Sequence, residues 1–108
     1  MNLKEFAEKL SLTLCAGEIS DRNIADCYIG DLLSLAMAKV KTDYAWITVQ
    51  TNVNTVAVAS LSDASCIILP ENLTPDEQMK NRADMEGIAV FTSEKTAYQL
   101  AAEISRLI

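Results

Sequence analysis

The side chains able to do chemistry are few, and their spacing does not assemble a reaction centre. There is no histidine, which excludes Ser-His-Asp and Cys-His nucleophilic catalysis, imidazole metal ligation and a histidine pH switch. Cys15, Cys27 and Cys66 contain no C-x-x-C pair, so neither a zinc site nor a dithiol redox motif is written in their spacing. As a nucleophile, Cys27 would need a Lys, an Arg or a helix N-terminus beside it, and Asp26 and Asp31 carry the wrong charge. The odd count and the apolar neighbours Leu14, Tyr28 and Ile67 read as buried free thiols of a reducing compartment. Glycines at only 17, 30 and 87 cannot compose G-x-x-x-x-G-K-[ST], G-x-G-x-x-G or G-x-S-x-G. No spacing singles out a pair among the carboxylates. The chain is therefore read as a non-enzyme, with no catalytic residue, metal ligand or cofactor assigned.

Binding chemistry is better represented, provided the right elements position it. Asn2 with Glu5 forms a capping-box pattern opening a helix over 3–10. A strand over 12–15 and a polar turn over 18–23 follow, then a second strand over 24–29. Asp31 is read as the N-cap of a helix over 32–40, which is apolar almost all round and so expects cover on more than one side. Trp46–Val49 is the clearest strand, with Trp46 a core or edge aromatic. Asn54 is read as the cap of a small helix through Leu61. Cys66–Leu69 reads as a buried central strand closed by Pro70. Thr74, Pro75 and Glu77 give the strongest helix start, and that helix ends at Gly87. Ile88–Phe91 is the next strand, and Ser93 is read as capping a terminal helix with Ala97, Leu100, Ala101, Ile104 and Leu107 on one face. This alternation predicts one α/β domain over residues 1–108, a mostly parallel sheet with helices packed against it.

In such sheets ligands sit beyond the carboxyl ends of the strands. Four segments fall there, 28–31, 48–54, 69–72 and 92–93. Gln50, Thr51, Asn52, Asn54, Asp31, Thr92 and Ser93 are the resulting ligand-binding candidates, suited to a nucleotide-like or other small metabolite. The same residues have a plainer reading as helix caps and solvated loop positions. No Lys or Arg lies in those four segments, which disfavours a multiply charged phosphate ligand.

Composition narrows the partners. Of the 108 residues 50% are apolar and 22% charged, and the net charge is −6. That fits a globular domain and argues against nucleic acid, which needs a basic face. The N-terminal stretch mixes acids with apolar residues, and no window approaches the roughly 18 apolar residues of a membrane span. A soluble cytoplasmic protein without a membrane partner is expected. Asp21 and Arg22 read as a surface ion pair, and Met37, Met79 and Met85 as core or interface filler. In so small a domain the apolar helix 32–40 is expected to meet a second subunit through Leu32, Leu35, Ala36 and Met37.

From Asp21 to Ala38 the chain resembles a DRTGG domain. Asp21-Arg22-Asn23-Ile24 matches the start of the family motif, whereas Ala25-Asp26-Cys27 stands where the family has Thr-Gly-Gly. Tyr28, Asp31-Leu32-Leu33-Ser34, Met37-Ala38, Trp46-Ile47-Thr48, Gln50, Asn54, Ala57-Val58-Ala59, Gly87-Ile88 and Thr92 also look familial. The resemblance implies a fold similar to the N-terminal domain of HPr kinase/phosphorylase, without that enzyme's separate P-loop domain. It implies a regulatory role, as in modules beside CBS domains in regulated pyrophosphatases. For stand-alone members it implies redox- or hydrogenase-related protein partners in anaerobic bacteria.

Overall fold

The computed structural model describes residues 1–108. Ten elements follow one another: α1 (Leu3–Lys9), β1 (Thr13–Ala16), β2 (Asp26–Ile29), α2 (Leu33–Lys39), β3 (Tyr44–Ile47), α3 (Val53–Leu61), β4 (Cys66–Leu69), α4 (Glu77–Glu86), β5 (Ala89–Thr92) and α5 (Ala97–Ile104). The strands form one sheet in the order β1-β5-β4-β3-β2. β2, β3, β4 and β5 run parallel, while β1 closes the far edge antiparallel to β5. The expected mostly parallel α/β sheet is present.

Helices cover both faces. On one, Leu3, Phe6, Leu10, Leu100 and Ile104 of α1, α5 and the turn after α1 pack on Ala45, Ile47, Cys66, Ile68 and Phe91. On the other, Ala36, Val56, Ala59, Met79 and Ala83 of α2, α3 and α4 pack on Trp46, Ile67, Leu69 and Val90. β4 is buried along its whole length, which is why its sequence is an unbroken apolar run and does not alternate. Trp46 is fully buried, and its indole N–H donates to Gly30 O at 2.9 Å, so its polar atom is satisfied inside the core.

Three expected caps lie elsewhere, for one physical reason: the side chain that caps is set by where the strand ladder stops. Asp31 does not cap α2, whose N-cap is Leu32 without a side-chain bond. Its carboxylate accepts instead from Val49 N–H and the Thr48 hydroxyl, each at 2.9 Å. That diverts Val49 from the sheet, and β3 ends at Ile47, not at Val49. α3 is capped by Asn52, which accepts from Asn54 N–H at 3.0 Å. α5 is capped by Thr96 in a capping box with Gln99, whereas Ser93 accepts from Lys95 N–H one turn earlier. The Thr74-Pro75 signal is likewise offset, since Asp76 caps α4. Gly87 closes α4 at φ +67°, the left-handed stop expected of it.

Arg22 does not pair with Asp21. Its guanidinium reaches Asp43 at 2.7 Å and Asp63 at 3.1 Å, tying together the turns that lead into β3 and β4. α2 departs most from expectation. It is an outer helix whose only buried residue is Ala36, while Leu32, Leu35 and Met37 are 66, 45 and 50% exposed. Ala36 is spent on the protein's own core, so it offers nothing to a subunit interface. Met79 is buried, but Met85 is exposed.

Candidate functional site

The carboxyl ends of β2, β3, β4 and β5 share one edge of the sheet, as parallel strands require. The loops after β2 and β3 meet there in a web of hydrogen bonds. Gln50 Nε2 donates to Asp31 O at 3.0 Å, and Asn52 Nδ2 donates to Gln50 Oε1 at 3.1 Å. The Thr55 hydroxyl, fully buried, donates to Gln50 O at 3.0 Å. The structure thus brings Asp31, Gln50, Asn52 and Asn54 together. Thr51 joins through its backbone carbonyl, which accepts from Asp76 N–H.

Thr92 and Ser93 belong to a different cluster, beyond β4. The Thr92 hydroxyl donates to Leu73 O at 2.7 Å. Both residues line a polar hollow of about 170 Å³ with Ser11, Thr13, Asn72, Glu94 and Lys95. Gln50, Thr51, Asn52, Asn54 and Asp31 line no cavity. The seven candidates therefore form two groups, and the first is a saturated surface in which most polar atoms hold one another. Sequence reasoning missed Thr48 and Thr55, the buried hydroxyls beneath that loop. Their signal was a Thr at each end of the Gln-Thr-Asn stretch.

The largest concavity, about 490 Å³, lies elsewhere, between β2 and α5. Ala25, Asp26, Cys27 and Ile29 line it from the β2 side and Ala101, Ile104, Ser105 and Ile108 from the α5 side. No spacing in the sequence joins these two walls, which the fold alone brings together. Cys27 sits in the β2 wall, its thiol pushed up to about 12 by burial first and by the charge of Asp26 second. Burial also raises the Cys66 thiol, with Cys27 nearby as the second cause. Cys15, raised by burial as well, donates its S–H to Val90 O at 3.1 Å. All three thiols are free, and held protonated they are poor nucleophiles at neutral pH.

No family model and no curated protein matches the sequence. Among solved structures, the fold is similar to the crystal structure of the CBS and DRTGG domains of the regulatory region of Clostridium perfringens pyrophosphatase, complexed with its activator diadenosine tetraphosphate. The two are 12% identical with a TM-score of 0.71, over 95% of this chain and 45% of that one. This chain thus spans less than half the length of the structure it resembles. No helix is long and apolar enough to cross a membrane. The fold is DRTGG-like.

Proposed function

We propose that the chain is a member of the DRTGG family acting as a non-catalytic regulatory or protein-interaction module, cytoplasmic and homodimeric. One observation carries this reading. Apolar side chains of α2 and its N-cap, Leu32, Leu35 and Met37, are 45–66% exposed on an outer helix. Leu32 and Leu35, three positions apart, share one side of that helix, and exposed apolar surface there is the mark of an interaction surface. The regulatory region with a similar fold supports the same class of role. Light scattering of the 108-residue chain tests it. A dimer at micromolar concentration that is weakened at least tenfold by Leu35→Lys is the expected result. A strict monomer, with no protein partner recovered on an affinity column, would refute it.

A second reading is favoured by the nucleotide activator bound to the pyrophosphatase region. In it the chain senses a nucleotide-like metabolite at the carboxyl edge of the sheet. The Asn54 side chain, the Thr51 hydroxyl and the second Asp31 carboxylate oxygen are the groups of the loop web left without a protein partner, and Gln50 and Asn52 would exchange their mutual bond for one to the ligand. Thr92 and Ser93 would serve only a ligand long enough to cross β4. A thermal-shift series with adenine and guanine nucleotides and dinucleoside polyphosphates separates the readings. A ligand at a hundredfold excess over its Kd stabilises by about 2.7 kcal/mol, and Gln50→Ala with Asn54→Ala should abolish that shift.

A further inference from the structure

β2 has one strand neighbour, β3, and no strand pairs with its outer side. The ladder dictates which groups are left over. Gly30 N–H donates to Ile47 O, and Tyr28 and Ile29 stand in register with Trp46 and Ile47. The even-numbered residues therefore turn their amides towards β3, and Cys27 and Ile29 turn theirs outward. Accordingly, Cys27 N–H is bound by no strand, and the neighbouring Asp26 carboxylate accepts it at 2.7 Å. On the α5 face, small Ala25 and Cys27 help to form the 490 Å³ groove, while Ile29 in the same wall is 45% exposed.

We propose that β2 pairs antiparallel with β2 of a second copy about a two-fold axis at Tyr28, joining the two sheets edge to edge. The proposal rests on the homodimer reading above and gives it a register. Cys27 then stands opposite Ile29 of the second copy, and these outward-facing residues form the pairs that exchange both backbone bonds. An axis perpendicular to the sheet keeps both copies of α5 on one face. Ile29 of the second copy therefore enters the groove over Ala25 and Cys27, and the reverse holds across the axis. Protrusion and hollow belong to one strand, the self-complementarity an isologous interface requires. In the monomer the Asp26 carboxylate occupies the Cys27 amide, which keeps the free edge satisfied until a second copy replaces it.

The test is the Ile29→Cys variant of the 108-residue chain, oxidised with diamide overnight at pH 9.5, which gives the slow, protonated Cys27 thiol time to exchange. Residues in such a pair lie about 5.5 Å apart at Cα, within disulfide range. The expected product is a covalent dimer linked from position 29 to the native Cys27, identified by mass spectrometry of a digest and lost when Cys27→Ser is added. Ile29→Lys should raise the dimer Kd at least a hundredfold, whereas Leu61→Lys on α3 should leave it unchanged. Circular dichroism checks that each variant is folded. A wild-type dimer that forms no such link and is indifferent to Ile29→Lys overturns the strand pairing and leaves the homodimer reading standing. A wild-type chain monomeric at every concentration overturns both.

Discussion

Asp31 shows how a residue can be legible in type and not in role. A carboxylate just before an apolar helix pattern has every local mark of an N-cap. The structure instead uses it to bind two donors of the next loop, because β3 ends where Val49 N–H needs an acceptor. Removing that acceptor leaves the O–H of the nearly fully buried Thr48 without a partner, although its oxygen still accepts from Gln50 N–H. Asp31→Ala should therefore cost about 1–3 kcal/mol in urea denaturation, and a change below about 0.5 kcal/mol would contradict the role assigned. Cys27 yields a prediction with a pH sign. Its native thiol holds the proton up to about 12 against an ordinary value of 9.0. Its contribution to stability is then complete below pH 9 and lost as pH rises towards 12. Urea midpoints at pH 8 and pH 10.5 should fall further apart in the wild type than in Cys27→Ala. At pH 8, alkylation of Cys27 should run at least about a hundredfold slower than that of free cysteine; equal rates would contradict the burial of this thiol.

Elements were more legible than the residues that end them. Apolar spacing placed every helix and strand in its correct order, and Cys66–Leu69 was bounded correctly because a fully buried strand has turn residues on both sides. The boundaries of β1, β2, β3 and β5 shifted by one or two residues, since alternation cannot see which amide the neighbouring strand accepts. The caps give a test at this scale. Asn52→Ala should cost about 1 kcal/mol, whereas Asn54→Ala, already inside α3, should stay within about 0.5 kcal/mol. The opposite order would restore Asn54 as the cap. Gly17 follows β1 at φ +71°, and a Cβ there would lie 1.8 Å from Ile88 O. Gly17→Ala should cost about 3 kcal/mol or more, from strain at positive φ compounded by that clash; a neutral thermal melt would contradict it.

At the scale of the molecule, the mostly parallel sheet was legible and its strand order was not. Periodicity identifies strands without naming neighbours, and only the order β1-β5-β4-β3-β2 leaves β2 at an open edge. For the same reason the groove between β2 and α5 was invisible: its two walls lie some seventy residues apart in sequence, brought together by the fold. The binding candidates suffered the converse. Their common edge was foreseeable, but the mutual hydrogen bonds that saturate Gln50 and Asn52 depend on side-chain geometry. Self-association through the open edge is the central claim, and sedimentation velocity of the chain over a dilution series tests it most directly. The account predicts a reversible shift from the 11.8 kDa monomer to a species of twice that mass at micromolar concentration. A single 11.8 kDa species across the whole series would contradict it.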